Sequence, residues 1–510
     1  MLQCPTQLEI GLTRQKIAMT VGVALLSGLS WLLFACQSAK TSPAPENSPE
    51  NSPVEIDPRY RPQGSPVELG LAGYAKVLCS AVFISERDIE EARRNSGYMF
   101  LPEEMHEVEV QVDLSETERR VVLSLDEELT RSARYVGDQG CVIERPNAEQ
   151  HLFFEPTTVS STLPEADLQL WPAGDASPPE PTPDGVDLQI DRVVDMVFAN
   201  PKETLTAAFL VVHRGRIIAE RYAPGVSKDT QLESWSMGKS LTATLVGLLI
   251  QQGQLDLDDP APVPAWQEED DPRRAITIRN LFNMSSGLLF IAPRDPDFSA
   301  EKGYPDHIYI YTGAVDVFDY SINRPLQFPV NTEGRYRNCD PLTLGYIVRE
   351  TVRGSGGDYL TFPQQALFDK IGIRRQVLET DPYGNFLLTG YDYGTARNWA
   401  RLGLLYLQDG VWQGERLLPE GFVEFVSTPA PAWTEPVYGG LFWLNRKGDI
   451  PLPADAYYMA GGGGQRVFIV PSLDLVVVRL GHFRGSRLGM EALNEALGEL
   501  TSLLMQVPPK

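Results

Sequence analysis

Ser236 and Lys239 stand three residues apart at the head of an apolar run, SWSMGKSLTATLVGLLIQQG (234–253). The run reads as a helix from Met237 to Gln252, stopped by Gly253. A serine at such a helix N-terminus meets free backbone N–H groups and the positive end of the helix dipole, which favour a developing alkoxide or oxyanion. Three-residue spacing puts Lys239 on the same face, one turn on. A lysine desolvated beside a hydroxyl loses its proton more easily and can help to activate it. The pair is a candidate for nucleophilic catalysis. The spacing alone also fits an N-cap serine with a solvated lysine. Ser299 and Lys302 share it in an acidic, loop-like stretch that supplies neither dipole nor burial.

Two further elements carry chemistry. Tyr336-Arg337-Asn338 precedes the helical stretch PLTLGYIVRE. A tyrosine near a lysine can act as a base toward the serine and later as an acid toward a leaving group. The asparagine can orient the lysine or a substrate carbonyl. Tyr383 and Asn385 repeat the spacing inside a turn, DPYGN, where packing and capping suffice. The third element, AGGGGQR (460–466), runs into the strand VFIV. A glycine strand edge lets a substrate approach the backbone, with an N–H aimed at an oxyanion. The Gly-Lys-Ser/Thr end of a phosphate loop is missing, as is a G-x-S-x-G elbow. The five histidines are scattered and no C-x-x-C occurs, so no zinc site and no cofactor is implied.

These residues need a scaffold of some size. The chain has 510 residues and a formal net charge of −24. An acidic body of this kind is not a nucleic-acid binder. Arg14 and Lys16 precede an uncharged run, Ile17 to Ala35, that ends LFAC at Cys36. Residues 1–35 therefore read as an export signal, with an uncleaved anchor as the alternative. Residues 36–66, with the repeat ENSPENSP, read as a disordered tether. A first unit, 67–160, opens with YAKVLCSAVFISERDIEEARR, a strand or short helix followed by a charged helix. It continues with the alternating strands EVEVQVDL and RRVVLSL. Cys79 and Cys141 fall in it and could pair in an oxidising compartment, leaving Cys339 free and buried. A Pro-rich joint, 161–185, leads to the larger unit, 186–510. There AAFLVVHRGRIIAERYA reads as a hairpin turned at His213–Arg216. The late segments GGLFWLN and RVFIVPSLDLVVVRLG read as antiparallel strands, and MEALNEALGELTSLLMQ as a closing helix. The class is α+β: an antiparallel sheet built from both ends of the unit, flanked by helices, with a helical insert and a small N-terminal α/β extension.

The order Ser-x-x-Lys, Tyr-x-Asn, Gly-rich strand edge resembles the serine β-lactamase-like hydrolases. Within them it is similar to the class C-related group that holds esterases, D-aminopeptidases and 6-aminohexanoate-dimer hydrolases. ITIRNLFNMSSGL (276–288), YGTARNWARLGLLYLQDGVWQGERLLPEGFVEFV (393–426) and GGQRVFIVPSLDLVVVRLG (463–481) extend the likeness over about 190–507. The LFAC ending resembles a bacterial lipoprotein signal, with Cys36 lipidated and the protein exported and tethered to a bacterial membrane on its periplasmic or extracytoplasmic face. The resemblance implies an acyl-enzyme on Ser236, proton transfer shared by Lys239 and Tyr336, and Asn338 as the asparagine of the second motif. It implies an oxyanion hole from the N–H of Ser236 and one near Gly461 or Gly462. The third motif departs from the pattern: Met459-Ala460-Gly461 stands where many relatives carry Lys-Thr-Gly or His-Thr-Gly. The cation that faces a substrate carboxylate is missing, unless Arg466 replaces it. That favours a small-molecule or short-peptide ester or amide over β-lactam or D,D-peptide substrates, and leaves a non-catalytic binding module as the third reading. Tyr304, Tyr309, Tyr311, Phe318 and Tyr320 in the insert 289–335 are either an acyl-binding surface or core.

Overall fold

The computed structural model describes residues 56–176 and 187–506, apart from 107, 147, 297 and 300–302. The expected signal, Cys36, most of the tether and Lys302 lie outside the described residues.

Six strands form the main antiparallel sheet, in the order Trp443–Leu444, Tyr457–Gly461, Gln465–Val470, Leu475–Gly481, Thr206–His213, Arg216–Tyr222. The last two form the hairpin turned between His213 and Arg216. Leu475–Gly481 pairs with Thr206–His213, so the two ends of the larger unit meet in the middle of one sheet. Side chains alternate across it. Phe209, Val211, Phe468 and Val477 pack under the helices Asp187–Val197 and Ser486–Leu504. Leu210, Val212, Val467 and Val476 face the larger core, with the helix Ala396–Leu407 laid across them. Between the sheet's ends lies the helical insert, including Asp306–Thr312, Val317–Ile322 and Cys339–Gly354.

The helix Gly238–Gln251 is buried along nearly all of its length. Most of its residues are apolar, with Lys239, Ser240, Thr242 and Thr244 buried among them. The hydroxyls of Thr242 and Thr244 donate to carbonyls four residues back, so their burial leaves no unpaired donor. Gly253, at φ +70°, ends it.

Ser65 opens an 18-residue helix, Pro66–Phe83, through a capping box with Glu68. This replaces the expected strand or short helix. By length and composition it is able to cross a membrane, yet fourteen of its residues are buried inside the protein. It packs on a four-stranded antiparallel sheet, Gln111–Ser115, Arg120–Ser124, Thr130–Tyr135 and Cys141–Ile143, around a core of its own. Cys79 and Cys141 form a disulfide, and Cys339 is free and buried. The described end of the expected tether packs on the larger unit: Tyr60 lays its ring on Tyr320, and Arg324 donates to the Tyr60 carbonyl. The described part of the Pro-rich joint is also held down. Asp369 accepts from Ser161 and Thr162, and Arg401 binds the Pro172 and Gly174 carbonyls and Asp175.

Candidate active site

Ser236 lies in a 3-10 turn, Trp235–Met237, that runs straight into the helix Gly238–Gln251. Trp235 holds a left-handed backbone, φ +47°, uncommon for a bulky side chain. Its ring is fixed among Phe100, Tyr391 and Phe483, with centroids at 5.8, 5.3 and 6.4 Å. The tertiary packing thus over-determines the turn that presents the Ser236 hydroxyl, which is only partly buried.

Lys239 is 1% exposed. Its Nζ donates to Ser236 Oγ at 3.1 Å and to the Thr389 carbonyl at 3.0 Å. Burial holds its ammonium well below the ordinary lysine range, and the charge of Asp392 works in the opposite direction. A Cβ on Gly238 would come 2.3 Å from the Leu388 carbonyl oxygen and 2.4 Å from Asp392 Oδ2. Glycine at 238 therefore lets the segment 388–392 close around the head of the helix.

The Tyr336 ring presents its face to Lys239 Nζ, 4.7 Å from the ring centroid. Trp443, Tyr438 and His307 flank it, at 5.3, 5.9 and 5.9 Å. Asn338 is fully buried. Its Nδ2 donates to the His307 carbonyl at 3.0 Å and to Tyr311 Oη at 3.1 Å. Tyr311 in turn donates to the Thr389 carbonyl at 2.6 Å. Asn338 thus frames the carbonyl that receives Lys239, at one remove from the amine. Burial first, then the charges of Lys239, Arg294 and Arg337, hold the His307 imidazole well below its ordinary value, so it stays neutral.

The glycine edge arrives from the other side. The strand Tyr457–Gly461 packs so closely on the Ser236 turn that a Cβ on Gly461 would lie 2.0 Å from the Ser234 carbonyl oxygen. Gly462 follows beside Trp235 and Phe483. Arg479 donates to the Gly463, Gly464 and Thr204 carbonyls and pins the turn. Met459 faces the larger core with Val467, on the same side as Trp235 and Met237. Arg466 is neither a solvated residue nor the missing cation. It is buried, binds the Gly461 and Gln465 carbonyls, and lies on the opposite face with Tyr458 and Phe468.

The structure therefore gathers Ser236, Lys239, Tyr336, Asn338 and Gly461–Gly462. Tyr383 and Asn385 are elsewhere; Asn385 binds Asp316 and Asp381. In the insert, Tyr309, Tyr311, Phe318 and Tyr320 are core, not an open acyl surface, and Tyr304 is partly buried against them. Sequence reasoning missed Thr389, Asp392 and His307. The first two sit just before YGTARNWARL, and nothing in their spacing points at Lys239.

Comparison with known proteins bears on the fold and the family. The family model described as Beta-lactamase matches residues 194–499. The 6-aminohexanoate-dimer hydrolase of Paenarthrobacter ureafaciens is 26% identical over 299 residues, 55% of this chain and 73% of that protein. An uncharacterized protein of Alkalihalophilus pseudofirmus is 22% identical over 338 residues, 59% of this chain and 92% of the relative. A solved Bacillus anthracis protein, named after a 6-aminohexanoate-dimer hydrolase, superposes with a TM-score of 0.50 at 19% identity, over 61% of this chain and 82% of its own. With more than half of its length matched, Ser236 and Lys239 included, the chain belongs to the beta-lactamase family of serine hydrolases.

Proposed function

We propose that this protein cleaves an ester or amide through an acyl-enzyme on Ser236. The observation that carries the reading is Lys239 Nζ, 3.1 Å from Ser236 Oγ in a buried site that disfavours its charged form. Ser236 Oγ bonds to the acyl carbon, and the carbonyl electron pair moves onto oxygen. The hydroxyl proton passes to Lys239, and the Tyr336 hydroxyl shares in delivering a proton to the departing alcohol or amine. The oxyanion is met by the N–H of Ser236 and one at the Gly461–Gly462 edge. Water then hydrolyses the ester to Ser236, which recovers its proton. Met459 in the third motif offers a substrate carboxylate no charge, and Arg466 is turned away to the Gly461 and Gln465 carbonyls. Neutral acyl groups are the favoured substrates, and β-lactams poor ones. Intact mass after a fluorophosphonate probe tests this: one adduct, absent from Ser236→Ala, supports an activated serine. Its absence, with no turnover of an ester and amide panel, would turn the reading to a binding module.

We also propose, from Arg14 to Cys36, that the protein is exported and lipid-anchored at Cys36. Palmitate labelling that survives Cys36→Ser would refute this.

A further inference from the structure

Asp392 is fully buried, and its backbone is tied to the Ser236 turn: the Ser234 N–H donates to the Asp392 carbonyl at 2.9 Å. Its carboxylate lies against the head of the helix that carries Lys239, as the 2.4 Å approach to a Cβ on Gly238 shows. Ser234 Oγ donates to the Trp235 carbonyl at 2.9 Å. Among the described residues, neither carboxylate oxygen of Asp392 meets a well-aligned donor; the neutral Ser234 hydroxyl stands beside the carboxylate and eases its ionisation, but is turned to the Trp235 carbonyl. A buried carboxylate in that state must be neutral or face a cation.

Among the described residues, the groups around Asp392 leave Lys239 as its cation. From the elements packed around Asp392 come Lys239, Tyr311, Glu233 and Glu379, with Tyr391 and Tyr393 beside it in sequence. Burial keeps all three tyrosines neutral. Glu379 is paired with Lys76 at 2.9 Å, and Glu233 faces Arg87 at 3.6 Å. Around Lys239 stand the face of the Tyr336 ring and the neutral His307.

We propose that Asp392 is a positioning residue for catalysis: its carboxylate is the buried counter-charge of Lys239 and sets how readily that amine holds a proton. The inference rests on the role given to Lys239 above. As the Ser236 Oγ–acyl bond forms and the hydroxyl proton moves to Lys239, the new ammonium is compensated by Asp392 without solvent having to enter. Burial favours a neutral Asp392 and a neutral Lys239, and their attraction favours the ion pair. The two groups therefore titrate as a unit.

The test is the pH dependence of fluorophosphonate acylation in the full chain and in Asp392→Asn. Removing the charge should move the acid limb of the profile down by about one pH unit or more. The high-pH rate should fall several-fold, because the amine becomes a weaker base. An acid limb that stays in place overturns the proposal, since Asp392 then carries no charge to Lys239. A second readout needs neither activity nor the variant: the 13Cε signal of Lys239, assigned by its loss in Lys239→Met. In the unsubstituted protein it should titrate in two steps, and a single step also overturns the proposal. Two-step titration with no Ser236 adduct would sink the hydrolase reading and leave the pairing standing.

Discussion

Substituting Gly461 by alanine puts one methyl group between the glycine edge and the Ser236 turn. The backbone at Gly461, φ −129° and ψ 161°, accepts alanine, so the penalty is steric alone. The new Cβ would meet the Ser234 carbonyl oxygen at 2.0 Å, and the gap must open to 3.4 Å or more for ordinary contact. Neither side gives easily. Ser234 is held by its N–H on the Asp392 carbonyl, and Gly461 by its pairing with Gln465. Overpacking of this kind costs about 1–3 kcal/mol of stability. The larger effect is on rate. The two N–H groups assigned to the oxyanion sit on opposite sides of the forced gap, and losing one such donor slows acyl transfer by about 100- to 1,000-fold. Gly462→Ala is the internal control, since its nearest neighbours lie at 3.6 Å and need not move. Second-order acylation rates with a fluorophosphonate, beside melting temperatures, decide the matter. A Gly461→Ala protein within a few-fold of the unsubstituted rate would refute the placement of the oxyanion hole, as would a Gly462→Ala protein equally slow.

Other consequences can be read more briefly. Lys76→Met leaves Glu379 buried without its cation and should cost about 3–5 kcal/mol in denaturant unfolding; Lys76→Met with Glu379→Leu should recover most of it. Burial raises the Asp175 carboxyl, but Arg401, Arg397 and Lys228 outweigh it, so its pKa in the folded protein is below 3.8. Its stabilisation is therefore present above 3.8 and lost as pH falls further; Asp175→Asn should lower the melting temperature at neutral pH and flatten its decline in acid. Replacing Cys79 and Cys141 together by alanine should cost about 2–5 kcal/mol, read as a lower denaturation midpoint with the Ser236 adduct still formed.

Most of the site's first layer was legible because it rests on local spacing. Ser236 and Lys239 share a helix face, and the apolar run behind them can only be a buried helix. The hairpin turned at His213–Arg216 and the late strands carried period-two alternation, so a sheet closed from both ends followed. Thr389, Asp392 and His307 were not legible. They reach Lys239 through tertiary folding, from a turn, the start of a three-residue strand and a short helix, none with a periodic signal. The backbone of Trp235 was equally hidden, since only its aromatic neighbours hold it left-handed. The helix Pro66–Phe83 was readable in principle: Ser65 and Glu68 spell a capping box, but β-branched and aromatic residues further along, in KVLCSAVF, imitate a strand.

The bond between Lys76 and Glu379 has a consequence for the order in which the molecule is made. The Cys79–Cys141 linkage spans 62 residues and can form early, within the first unit. Glu379, which receives both Lys76 and the Cys141 N–H, lies 238 residues beyond Cys141. The sheet that carries the glycine edge closes later still, when Leu475–Gly481 reaches Thr206–His213. A chain emerging from its N-terminus holds a lysine in an apolar helix with no counter-ion until most of its length has been synthesised. Such long-range closure makes folding slow and leaves apolar surface open in the interval. The first unit is thus made early but finished late, and the whole should refold as one cooperative body rather than as two independent ones.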